Sequence, residues 1–236
     1  MAYSESYFTA RETWRDWRIE AHELMRLARV TRDARVLEIG CGGGGLLRML
    51  RERGARAVGV DTLSAALELA RERLPADKET RRQGDKGTVT LSLICVGEEG
   101  ALPFRADAFD ALIGQHVIEH LPDVDAALRE WKRVLRSSEP REGKPHGRIA
   151  LATPNARYPD PAHFADAGHA RIFSPDELRG VVTRAGFIVE ECFTIFPFLS
   201  RGRALRALGV IACRVFQHAP YFAVRGRTII IVARKG

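Results

Sequence analysis

Two stretches of this chain hold residue types that could do chemistry. In the first, Val36-Leu37-Glu38-Ile39 runs into Gly40-Cys41-Gly42-Gly43-Gly44-Gly45, five glycines in six positions. Glycine takes up positive φ cheaply and lets a backbone approach a bound molecule closely, so a loop this rich in it implies a ligand. The spacing Gly40-x-Gly42-x-x-Gly45 satisfies the dinucleotide fingerprint, and Asp61 follows at about the expected twenty residues. Glu38 argues against a dinucleotide, because a carboxylate just before the first glycine repels a pyrophosphate and attracts a cation. In the second stretch, His116, Glu119 and His120 spell H-x-x-E-H, a zinc peptidase pattern. That chemistry needs both histidines on one face of a continuous helix. Here the motif follows a strand directly and meets Pro122 two residues on, so no metal is expected.

The elements that must position these residues alternate strand and helix. Val36 to Ile39 reads as a buried parallel strand, and Leu46, Leu47, Met49 and Leu50 recur at helical spacing after it. Ala55–Asp61 is a second strand ending in an acid, followed by a helix over Ser64–Leu74. Further strands are expected over Thr88–Val96, Ala108–Gly114, Arg148–Ala152, Gly186–Thr194 and Arg227–Ala233. Asp123–Leu135 has a start signal and periodic apolar positions, and Ser174-Pro175-Asp176-Glu177 introduces another helix with a capping box. From about Ser4 to Val30 the spacing of Phe8, Trp14, Trp17, Leu24 and Leu27 predicts a helical cap. The stretches 75–87 and 136–147 are polar and read as exposed loops.

With these segments in order, the chain resembles the class I S-adenosylmethionine-dependent methyltransferases. The likeness rests on Glu38 before Gly40-x-Gly42-x-Gly44, on Gly97-Glu98-Glu99-Gly100-Ala101-Leu102-Pro103-Phe104, and on Phe109-Asp110 followed by His116-Val117-Ile118-Glu119-His120-Leu121. Thr153-Pro154-Asn155 and His169-Ala170-Arg171-Ile172-Phe173-Ser174-Pro175 extend it. The resemblance implies a Rossmann-like α/β three-layer sandwich, with a seven-stranded, mostly parallel sheet whose last strand is antiparallel. It implies one methyltransferase domain over 1–236, with a helical cap at 1–30 and a variable insertion at 195–225. S-adenosylmethionine, which carries an ammonium and a sulfonium, suits the acidic strand end, and S-adenosylhomocysteine would be the product.

Carried over residue by residue, the likeness gives cofactor binding to Glu38, Gly40, Cys41, Gly42 and Gly44, and the ribose to Asp61 with Thr62 and Leu63 beside it. A local alternative for Asp61 is to cap the helix that follows. Glu98 stands where the family has an adenine-binding aspartate, with Glu99 as a substitute. Gln115 and His116 should line the cleft where the methionine moiety meets the acceptor. If the acceptor arrives protonated, His116 and then His169 are the candidate bases. His169 and Arg171 are read equally as cleft residues or loop anchors, and Asn155 equally as a cleft or a turn residue. The nearest branch is the small-molecule, O-methylating one that includes the quinone-biosynthesis type, which implies a hydroxyl acceptor.

The net charge of +7, from 37 Lys and Arg against 30 Asp and Glu, comes mostly from arginines scattered along helical segments and does not point to nucleic acid. An RNA or other macromolecule methyltransferase and a non-catalytic cofactor-binding subunit are the alternatives carried forward. The four isolated cysteines suggest reduced thiols, and no apolar run reaches the roughly 20 residues of a spanning helix. The expectation is a cytoplasmic protein, with 195–225 offering an apolar face read first as packing against the sheet edge and otherwise as a dimer surface, a lid or a peripheral membrane contact.

Overall fold

The computed structural model describes residues 17–74, 92–97, 101–137, 147–158, 168–195, 219 and 224–236. Its elements are α1 (Trp17–Leu27), β1 (Arg35–Ile39), α2 (Gly45–Glu52), β2 (Arg56–Asp61), α3 (Ser64–Arg73) and β3 (Ser92–Cys95). They continue as β4 (Ala111–Gln115), a 3-10 turn (Ile118–His120), α4 (Val124–Val134), β5 (Arg148–Pro154), α5 (Pro175–Arg184), β6 (Phe187–Ile195) and β7 (Thr228–Lys235). The seven strands form one sheet in the order β3-β2-β1-β4-β5-β7-β6. The first five are parallel to one another, and β7 runs antiparallel to both β5 and β6. This is the expected architecture, and its strand order reverses between β1 and β4, which opens a crevice at their carboxyl ends.

Alternation along the central strands divides the core in two. Val36, Ala111, Ile113, Ala150, Ala152, Ile230 and Val232 share one cluster with Ala21, Leu24 and Met25 of α1 and Leu46, Leu47 and Leu50 of α2. Leu37, Leu112, Ile149, Leu151, Ile229 and Ile231 face the other way, against Leu128 and Trp131 of α4 and Leu178, Val181 and Val182 of α5. The alanines of β4 and β5 leave α1 room to lie close on the sheet. Arg148, at the start of β5, donates to the Leu27 carbonyl at the end of α1 and to Glu190. The other end of α1, at Trp17, therefore reaches the carboxyl edge of the strands, where Gln115 Nε2 donates to the Trp17 carbonyl.

Local signals fix the starts of α4 and α5. Asp123 accepts from the Ala126 amide ahead of α4. Ser174 and Glu177 form a reciprocal capping box on α5, with Pro175 in its first turn. At the amino edge of the sheet Asp110 draws β1, β4 and the end of α4 together. It accepts from the Arg35 amide at 2.9 Å and from the Arg35 and Arg136 guanidinium groups. Phe109-Asp110, one of the family-like segments, thus serves the fold at the edge opposite the glycine loop.

The sequence expectations for Phe8 and Trp14, for the 75–87 loop, and for nearly all of 195–225 lie outside the described residues. Among the described residues no helix is long and apolar enough to cross a membrane.

Asp110→Asn should destabilise the chain by about 2–4 kcal/mol, because it leaves two guanidinium groups without their buried counter-charge. Urea unfolding measures this, and the affinity of the distant crevice for its ligand should be unchanged.

Candidate functional site

The glycine loop leaves β1 at its carboxyl end and returns as α2. Gly40, Gly42 and Gly44 all have positive φ, at 66°, 49° and 81°. A Cβ on Gly40 would also meet Val117 at 2.9 Å, so the loop takes this path only without side chains. The Gly42 amide donates to Asp61 Oδ2 at 2.8 Å, and the Leu63 amide donates to Asp61 Oδ1 at 3.0 Å. Asp61 therefore ties the loop to the end of β2 and forms the first turn toward α3, while Leu63 caps α3 without a side-chain bond. Each carboxylate oxygen keeps acceptor capacity for a ligand hydroxyl beside its amide partner. Thr62 is exposed and Leu63 half-buried at the same strand end.

Glu38 is 4% exposed on the α1–α2 face of β1. Cys41 is buried; its amide donates to the Val60 carbonyl, and a Cβ on Gly59 would stand 2.8 Å from its Sγ. The thiol thus packs inward against β2, under the loop. Burial pushes that thiol well up, and the Glu38 and Asp61 charges push it further, so both acids bear on the same loop.

The second half of the site is a buried polar network at the ends of β4, β5 and β7. Glu20 of α1 accepts from Gln115 Nε2 at 3.0 Å, His116 Nε2 at 2.9 Å and Thr228 Oγ1 at 2.7 Å. His116 Nδ1 lies 3.3 Å from Glu119 Oε1, and Glu119 Oε2 accepts from Thr153 Oγ1 at 3.0 Å. Ionised carboxylates only accept, so an imidazole facing one at each nitrogen carries two protons. Burial alone would lower His116, but the Glu20 charge and the hydrogen bonds to Glu119 and Glu20 raise it to about 9. Burial would raise Glu119, and His116 brings it down to about 2. Burial also opposes ionisation of Glu20, yet His116, Thr228 and Gln115 leave it lowered.

His116 and Gln115 both stand at the end of β4. His116 lies between two carboxylates, Glu20 and Glu119, and is their shared counter-charge. Gln115 turns its amide to the cap helix, because a buried amide must find acceptors and Trp17 and Glu20 supply them. Asn155 is fully buried and clamps the turn before β7, donating to the Val224 and Gly226 carbonyls, so its turn role holds. The 168–171 segment is stitched to the 3-10 turn: the Ala170 and Arg171 amides donate to the Glu119 carbonyl, and His120 Nδ1 meets the Gly168 carbonyl at 2.9 Å. His169 is half-buried, with its ring centroid 4.7 Å from that of His120. Glu98 and Glu99 lie outside the described residues.

The H-x-x-E-H residues are divided in the fold: His116 pairs with Glu20 and Glu119, while His120 faces the 168–171 segment. Glu119, His120 and His169 bring ligand atoms within 4.8 Å of one another. The Glu119 carboxylate is already engaged by Thr153 and His116. Glu20, at the centre of this buried network, is a residue that the sequence reading did not single out. Its signal was position: Glu20 falls on the same helical stripe as Leu24 and Leu27, where an acid must be paired.

Comparison with known proteins agrees with this geometry. Residues 37–138 match the profile of the methyltransferase domain family. A ubiquinone biosynthesis O-methyltransferase of Dinoroseobacter shibae is 30% identical over 168 residues, covering 64% of this chain and 59% of that protein. The chain spans about half the length of several relatives of this kind. A methyltransferase of Haloferax volcanii, solved in complex with the Trm112 activator, superposes with a TM-score of 0.68 at 21% identity, over 98% of this chain and 94% of that one. An S-adenosylmethionine-dependent methyltransferase of Mesorhizobium loti gives 0.64 at 18%, over 95% and 99%. The two structural likenesses carry the fold.

The His116 pairing sets a pH window for stability. Its contribution is fully present below the ordinary value of 6.5 and is lost as pH rises through about 9. The Glu119 contribution is present above 4.5 and is lost as pH falls toward about 2. Melting temperature should therefore decline from neutral to alkaline pH, and His116→Gln should remove most of that alkaline slope.

Proposed function

From the match of residues 37–138 to the methyltransferase domain family, we propose that this chain transfers a methyl group from S-adenosylmethionine to the hydroxyl oxygen of a small molecule. The observation that carries the reading is the charge of the crevice. Glu38 and Asp61 flank the glycine loop, and Glu20 and Glu119 stand at the end of β4 against one imidazolium. An excess of carboxylates suits a ligand with an ammonium and a sulfonium and repels a diphosphate.

In this reading Asp61 receives the ribose hydroxyls, the positive-φ glycines admit the methionine portion close to the backbone, and Glu38 faces its cationic end. The bound cofactor supplies an already activated methyl group. What the chain supplies is alignment of two partners and exclusion of water, effects that reach about 7–11 kcal/mol in well-oriented reactions. His169, on the segment stitched across the end of β4, is then the candidate to take a proton from the acceptor, and His116 serves position and charge. The similarity to ubiquinone biosynthesis O-methyltransferases supports a hydroxyl acceptor.

Calorimetric titration tests the cofactor assignment. S-adenosylhomocysteine should bind and NAD should not, and the reverse result would sink the reading. Asp61→Ala should weaken S-adenosylhomocysteine by about 1–3 kcal/mol, through lost ligand hydrogen bonds and a loosened glycine loop. An unchanged affinity would remove Asp61 from the site.

A further inference from the structure

We propose that Glu20 is a positioning residue for the cofactor site: from the cap helix it orients His116 and Gln115 at the end of β4, so that docking of α1 and cofactor binding are coupled. This rests on the S-adenosylmethionine reading above and adds a residue from outside the matched domain, which begins at residue 37.

The geometry is that of one carboxylate spanning three strands. Glu20 Oε2 receives Gln115 and His116 from β4 and its end, and Oε1 receives Thr228 from β7, with β5 lying between those two strands in the sheet. The carboxylate is 4% exposed and accepts three hydrogen bonds, so it is fixed in place and not a solvated surface charge. His116 is itself held in an unusual backbone state. Its φ is 55°, in the left-handed region that few non-glycine residues enter, and its amide donates to the Ala152 carbonyl. The ring can meet Glu20 and Glu119 together from this position, held by the hydrogen bond to Glu20 at 2.9 Å and the ion pair with Glu119 at 3.3 Å.

Among the described residues, the acids placed against the ring come from two elements. Glu20 faces it from α1, and Glu119 faces it from the 3-10 turn, where His120 also acts on Glu119; β5 contributes the Thr153 hydroxyl through Glu119. Removing the Glu20 charge would leave Glu119 as the one anion on the ring and free the Gln115 amide from one of its two acceptors. Both changes fall where β4 enters the crevice.

The test uses the full chain, with S-adenosylhomocysteine as the probe, and titrates the parent, Glu20→Gln, His116→Gln and the double variant by calorimetry. Each single variant should bind at least about tenfold more weakly, as for loss of one charge-assisted hydrogen bond. The double should be no more than about twofold weaker than the poorer single, because Glu20 acts through His116. Glu20→Gln within about twofold of the parent overturns the proposal even if its melting temperature falls, since that is the signature of a structural role alone. Independent, multiplying effects also overturn it. An NMR titration of the parent's histidines decides the pairing without any variant: the His116 ring should titrate at about 9, and an ordinary histidine midpoint overturns the proposal. If the parent fails to bind S-adenosylhomocysteine while His116 titrates as expected, the cofactor reading fails and the pairing stands.

Discussion

A hydrogen bond between the Gly42 amide and the Asp61 carboxylate joins the carboxyl ends of two adjacent parallel strands. Parallel register brings those ends level, and the reversal of strand order between β1 and β4 leaves an opening beside them. The glycine loop has to turn into that opening without side chains, and Asp61 holds the turn. If the loop slipped away from β2, the acid at the end of β1 and the acid at the end of β2 would no longer face one ligand. The two packed layers of helices serve this alignment: α2 and α3 support the loop from one side, and α4 and α5 hold β4 and β5 from the other.

The buried network at the end of β4 shows how such a crevice tolerates charge. Four carboxylates near one another would be costly to desolvate if each stood alone. The fold supplies donors: Asp61 takes two backbone amides, Glu119 takes a hydroxyl and faces an imidazolium, and Glu20 takes an amide, an imidazolium and a hydroxyl. The imidazolium stands between two of the acids, so the network keeps an anionic balance around one buried cation.

Much of this was legible in the sequence because the signals were local. The strands of the sheet, the Asp123 and Ser174 caps and the glycine loop each depend on residues within a few positions of one another. Asp61 was legible by its place at the end of the strand after the loop. The rest depends on partners that the fold brings together from far apart. Glu20 meets Thr228 from 208 positions away and Gln115 from 95, and no short pattern records such a meeting. The residue type and position of His116 were visible, whereas the acids facing its two nitrogens come one from a neighbouring turn and one from the cap helix. Cys41 sat inside the motif, but its direction was set by Gly59 on the adjacent strand, whose missing side chain makes the room it fills.

That last arrangement has a chemical consequence. The Cys41 sulfur lies beneath the loop, covered by Leu47 and β2, and its ionisation is suppressed by burial and two nearby acids. Thiol-modifying reagents act on the ionised, accessible form. Labelling of this sulfur therefore requires the loop to lift off the sheet, and its rate is a built-in clock for how often the unliganded crevice breathes.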